Sequence, residues 1–153
     1  MPPAVHPPHN PIPQNVAYRD DLHRAAAAHR IDPLLLAAVA AQETGGPLAD
    51  SGRNIVGDGG HGHGVFQIDD RDAEHRAWMR THHGGLDVAE SADKAAEMLR
   101  NRILRYGSVR DALQAYNAGT PGAPSARTAW PDANLDYAAS VLRHYARLAG
   151  HAP

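Results

Sequence analysis

The sequence predicts a mainly α domain: helices packed around one central apolar helix, with a small β element confined to the loop over residues 57–69. Three observations support this. The 153 residues are enough for one domain with a core of its own. Hydrophobic residues make up 42% of the chain and aromatics only 5%, with Ala and Leu in their place, a composition suited to packing helix against helix. Apolar residues recur at helical spacing along much of the chain, whereas Gly, Asp, Asn and His collect between residues 45 and 64.

Composition also excludes several roles. A formal charge of −2 leaves no electrostatic footprint for nucleic acid or an anionic membrane. Without cysteine, the fold needs neither an oxidising compartment nor a thiolate metal site. No apolar run is long enough to span a bilayer, and the first residues lack the layout of a signal peptide.

Residues 1–16 read as a Pro-rich tail or linker, with six prolines in the first 14 positions and no periodicity; the folded domain is expected over 17–150. A first helix is expected from Tyr18 to His29, with Leu22, Ala25, Ala26 and His29 on one side. Asp32 as N-cap and Pro33 at the first helical position open a second helix, which runs through Glu43 and stops at Gly45-Gly46-Pro47. Leu36, Val39 and Glu43 are spaced by three and four, so the acid shares a stripe with buried side chains. Val65-Phe66-Gln67-Ile68 can form a short strand, and Asp70 to Met79 a short helix. A long amphipathic helix follows from Val88 to Tyr106, with Ala92, Ala95, Leu99, Ile103 and Tyr106 inward and Gly107 ending it. Ser108 and Asp111 form a capping pair for a short helix that finishes at Ala115-Tyr116-Asn117-Ala118-Gly119. After a Pro/Gly/Ser loop from Thr120 to Pro131, the last helix starts near Asp132 to Asn134 and buries Tyr137, Val141, Tyr145 and Leu148.

Glu43 is unusual on physical grounds. In the last turn of a helix it meets the negative end of the macrodipole, and partial burial acts in the same direction. Both disfavour its ionised form, as a general acid working near neutral pH requires. Asp58, in Gly57-Asp58-Gly59-Gly60, reads equally as a turn aspartate, and Asp69 as a helix N-cap. Three acids around one glycine-rich loop suit an inverting glycosidase, which needs one protonated acid and an opposed carboxylate holding a water.

These residues resemble a known family. Gln42-Glu43-Thr44, Gly57-Asp58 and Gly62-His63-Gly64-Val65-Phe66-Gln67-Ile68-Asp69 are similar to goose-type lysozymes and, more distantly, to soluble lytic transglycosylases. The Ala115–Gly119 segment and Asp136-Tyr137-Ala138 with Val141 match two further motifs, in the family's order, and Asp58 and Asp69 stand 11 residues apart as in goose-type enzymes. The resemblance implies a lysozyme-like fold and cleavage of the β-1,4 bond between N-acetylmuramic acid and N-acetylglucosamine in peptidoglycan. Glu43 would be the general acid, with Asp58 and Asp69 positioning the attacking water. His63, Gln67, Ile68, Tyr116 and Asn117 would bind the glycan, and Tyr137 would orient Glu43. The chain departs from the family in having Thr44 where a Ser is usual, a longer Glu43-to-Asp58 interval, and Ala73 where goose-type sequences often carry His, with His75 nearby. The absence of the disulfides found in vertebrate members favours a bacterial or phage origin.

With both aspartates present, the expected activity is that of a muramidase hydrolysing its substrate with inversion. The alternatives are a lytic transglycosylase, which closes the sugar on itself to a 1,6-anhydro end, and a non-catalytic cell-wall-binding module. His61-Gly62-His63, with Asp58 or His82-His83, could make a zinc or nickel site, but a His-x-His without a fixed third ligand is a weak signal, and neither metal nor cofactor is expected. Tyr106 and Tyr145 read as core, and Trp78 and Trp130 as candidates for stacking on a sugar. The expected partners are peptidoglycan glycan strands, met by a monomer in the periplasm or outside the cell. Release by a phage or export by a dedicated machine would fit the missing signal peptide, whether the protein is a lysin, a tail-associated enzyme or a toxin domain.

Overall fold

The computed structural model describes residues 11–45, 52–123 and 136–150. Among them are six α-helices: α1 (Arg19–His29), α2 (Pro33–Ala40), α3 (Ala73–Arg80), α4 (Val88–Tyr106), α5 (Val109–Ala118) and α6 (Tyr137–Gly150). Three two-residue strands, β1 (Val56–Gly57), β2 (Gly62–His63) and β3 (Ile68–Asp69), form an antiparallel sheet in that order. The mainly α architecture with one small sheet is the one the sequence predicts.

Helix α2 is the centre. Every one of its residues is buried, as expected of a helix apolar on all sides. Asp32 caps it by accepting from Leu34 N at 2.9 Å, with Pro33 at the first position. It does not run on as α to Glu43. Residues Ala41–Gly45 widen into a π-helical turn. Thr44 ties this turn to the hairpin: its hydroxyl lies 2.9 Å from Val65 O and 3.3 Å from Ala40 O.

The domain also begins earlier than composition suggests. Ile12 and Val16, inside the segment read as a linker, belong to the core. Ile12 N donates to His23 Nε2 at 3.1 Å, and Arg19 Nε donates to Ile12 O at 2.6 Å, which fixes this segment on α1.

Helix α3 starts later than predicted. Asp72, not Asp69, caps it by accepting from Glu74 N and His75 N, which leaves Asp69 available for another role. Helices α4 and α5 have the predicted bounds and caps: Gly107 takes φ 76° after α4, and Ser108 Oγ accepts from Asp111 N at 3.0 Å. Tyr145 is partly buried against the core, whereas Tyr106 lies outside it, with the Arg105 guanidinium 5.5 Å from its ring centre.

Helix α6 is tied to the centre by polar bonds as well as packing. Ser140 Oγ donates to Gln42 Oε1 at 2.6 Å, Ala138 N donates to Gln114 Oε1 at 2.8 Å, and the Tyr145 hydroxyl donates to Asp32. Trp130, most of the loop from Thr120 to Pro131, and the predicted start of the last helix at residues 132–134 lie outside the described residues.

The sheet is smaller than the run Val65–Ile68 suggests. Val65 and Phe66 sit in the turn between β2 and β3 and plug the core with no exposed surface. Gln67, at φ 50°, lies across the hairpin, its Nε2 donating to Ile55 O and Gly64 O at 3.0 Å each. A Cβ on Gly62 would come within 2.1 Å of Gln67 Oε1, so a side chain at position 62 requires the Gln67 side chain to move.

Candidate active site

The π-helical turn, the hairpin and the end of α5 enclose a cavity of about 210 Å³, lined by Glu43, Asp58, Gln67, Asp69, Arg71, Tyr116 and Asn117. Six of these are residues that the sequence singles out. The turn at the end of α2 presents Glu43 half-buried, and the hairpin supplies both aspartates and Gln67. Tyr116 and Asn117 come from the last turn of α5, where the Tyr116 hydroxyl donates to Phe66 O at 3.2 Å and joins α5 to the hairpin.

Tyr137 approaches from the first turn of α6. Its hydroxyl donates to Glu43 Oε2 at 2.6 Å, and its ring stacks on Tyr116 at 6.3 Å between centroids. Two of the predicted glycan-binding residues do not line the cavity. Ile68 is buried in the core, and the His63 ring turns to Asp70, with Nε2 2.9 Å from Oδ2.

Arg71 escapes a motif-based reading, yet it dominates the hairpin side of the cavity. Its Nη2 donates to Asp58 Oδ2 at 2.6 Å and to Asp69 Oδ2 at 2.9 Å. Its Nε donates to Asp69 Oδ1 and Oδ2 at 2.9 and 3.2 Å, and its backbone N–H to Asp69 Oδ1 at 2.8 Å. These bonds hold the Asp69 carboxyl below its ordinary value and raise the Arg71 guanidinium. The one signal available in the sequence is a cation two residues after Asp69. His75 secures the same strand end, its Nδ1 lying 2.9 Å from Asp69 O.

The histidines are not arranged as the metal reading requires. His61 Nδ1 lies 2.7 Å from Asp70 Oδ1, so both His61 and His63 face Asp70 rather than Asp58, and together they lower the Asp70 carboxyl. Among the described residues, the group of ligand-type side chains that does converge is His83, Asp87 and Glu90, where α4 begins. Trp78 stacks on His82 in a separate cavity between α1, α3 and α4, away from the acids.

Residues 22–127 match the family described as Transglycosylase SLT domain. A similar curated protein, Protein IpgF of Shigella flexneri, is 30% identical over 132 residues, covering 82% of this chain and 79% of that protein. No solved structure matches the chain.

Proposed function

Because the chain belongs to the Transglycosylase SLT domain family, we propose that it is a lytic transglycosylase acting on peptidoglycan glycan strands. The bond cleaved is the β-1,4 link between N-acetylmuramic acid and N-acetylglucosamine. Glu43 donates its proton to the glycosidic oxygen as the bond to C1 breaks. The resulting carboxylate then takes the proton of the muramic acid C6 hydroxyl as that oxygen closes on C1, leaving a 1,6-anhydro end and Glu43 protonated again.

The observation that supports this choice over hydrolysis is the match of residues 22–127 to the Transglycosylase SLT domain family; in the site itself the Arg71 guanidinium bridges Asp58 and Asp69. The sequence favours hydrolysis because both aspartates are present, and an inverting hydrolase needs them to hold a water. Glu43, on the opposite wall and supported by the Tyr137 hydroxyl, is the carboxylate suited to both proton transfers. Gln67, Tyr116 and Asn117 line the same cavity and would contact the sugars.

The substrate places the protein's action in the periplasm or outside the cell. No helix among the described residues is long and apolar enough to cross a membrane. Mass spectrometry of the muropeptides released from purified peptidoglycan tests the reading. Anhydro ends are expected, and products carrying mainly reducing ends would return the protein to the hydrolases.

A further inference from the structure

We infer that the cavity between α1, α3 and α4 is a second substrate site, which binds the free amino group of a peptidoglycan stem peptide. This inference rests on the peptidoglycan reading and adds a recognition element outside the catalytic cavity.

The cavity measures about 440 Å³, against about 210 Å³ for the one that holds Glu43. Small-ligand sites are commonly of that size and mostly apolar. Ala25, Ala28 and Ala89 line it with nothing larger than a methyl group, and Trp78 adds a flat apolar surface. The indole is held in place. It stacks on the His82 ring, with centres 4.7 Å apart and planes 13° from parallel, and His82 Nδ1 lies 2.7 Å from Trp78 O. An aliphatic chain suits such a lining, and an ammonium at its end gains from a nearby indole.

The polar residues decide the charge of the ligand. Asp21, Glu90 and Asp93 line the cavity against a single guanidinium, that of Arg24. Among the described residues, each carboxylate is engaged through one oxygen. Asp21 Oδ1 accepts from Arg24 Nη1 at 3.1 Å, Glu90 Oε1 lies 2.9 Å from His83 Nδ1, and Asp93 Oδ1 lies 2.7 Å from His29 Nε2. The second oxygen of each is left as an acceptor for a ligand. Glu90 favours the protonated form of His83, and with His29 neutral the carboxylates still outnumber the cations. An anion would be repelled here. Charge complementarity selects a cation.

Peptidoglycan offers that cation. Its stem peptides hang from the muramic acid, and the third residue is a diamino acid whose side-chain amine is free wherever strands are not cross-linked. Helix α3 connects the two cavities. His75 Nδ1 lies 2.9 Å from Asp69 O at the catalytic end, and Trp78 follows three residues later. Three extended residues span about 10 Å, and the eight residues of α3 rise about 12 Å. A stem on a sugar bound beside Asp69 thus has the length to reach the second cavity.

The test compares purified peptidoglycan with the same material after acetylation of its free amines, using the full chain and following release of soluble fragments. Wild type is expected to keep its kcat on the acetylated material, with KM raised about five- to tenfold for the loss of one cation held by partly exposed carboxylates and an indole. Glu90→Gln with Asp93→Asn should raise KM on native peptidoglycan to the same level, with no further change on acetylation. Ala89→Met fills the cavity without altering charge and should do the same, which covers a poorly folded charge variant. Oligomers of N-acetylglucosamine lack the amine and should leave the NMR signals of Ala28 and Ala89 unmoved. The inference fails, and the transglycosylase reading stands, if wild type uses both materials equally or if a folded variant responds to acetylation as wild type does. It also fails if the oligomers shift those signals, which would make the cavity a sugar site. If wild type cleaves neither material, both fail.

Discussion

Tyr137 donates its hydroxyl to Glu43 Oε2 at 2.6 Å, across 94 positions of sequence. The tyrosine ring is buried and stacked on Tyr116, so the hydroxyl is held at a fixed place. Removing it should disturb the direction of the acid more than the fold. We expect Tyr137→Phe to lower kcat about tenfold, with KM and melting temperature nearly unchanged, since a positioned acid contributes roughly a hundredfold or more and only its orientation is lost. Steady-state turnover of purified peptidoglycan beside thermal melting checks this.

Glu43→Gln keeps the size and polarity of the side chain but cannot give up a proton to the glycosidic oxygen. Clearing of peptidoglycan suspensions should vanish, while binding to insoluble peptidoglycan and the melting temperature stay close to wild type. Residual clearing at the wild-type rate would mean that another group supplies the proton.

Gly62→Ala should be costly for activity. The added methyl would lie 2.1 Å from Gln67 Oε1 and 2.7 Å from its Cδ, so the Gln67 side chain must leave its place across the hairpin. Overpacking of this kind costs about 1–3 kcal/mol. A melting temperature lowered by a few degrees, together with weaker substrate binding, is the expected pair of results. A variant with native stability and activity would show that Gln67 moves aside freely.

Acid should weaken the fold through carboxylates whose native values are depressed. Asp69 is lowered by its bonds from Arg71, Asp136 by Arg110, and Asp72 by the His75 backbone N–H. Each contributes stability that is present above the ordinary value of 3.8 and lost as pH falls through the lower native value. Melting temperature should therefore be flat against these groups above about pH 5 and decline below about pH 4. Asp69→Asn should flatten part of that decline. Asp69 and Asp136 are partly exposed, so solvent screening keeps each contribution small.

Much of this arrangement is legible in the residues. Gly107 and Ser108 mark the α4–α5 junction because each serves one local backbone need, and local needs are written locally. Glu43, the two aspartates, Gln67 and the Tyr116–Asn117 pair are also legible, through motif order. The π-helical turn is not, because the helical pattern reads on unbroken through Glu43, while the Thr44 hydroxyl in that turn finds Val65 O from 21 positions away. Arg71 is missed for a similar reason. Its partner Asp58 is 13 positions distant, and only the folded hairpin brings the two together. Ile12 and Val16 are hidden by their surroundings, since proline suppresses the periodicity by which buried residues are usually recognised.

The bonds that tie α6 to the region of α2 span 94, 98 and 113 positions. Contacts so far apart along the chain carry a high loop-closure cost, and they are expected to close after the nearer helices have paired. The hydroxyl that aims the acid arrives with them. A chain still emerging during synthesis, or one cut ahead of α6, carries Glu43 but not the group that directs it. Under the proposed function, cleavage of the glycan would therefore depend on α6 being in place, and a chain lacking α6 is expected to clear peptidoglycan poorly even though it carries Glu43.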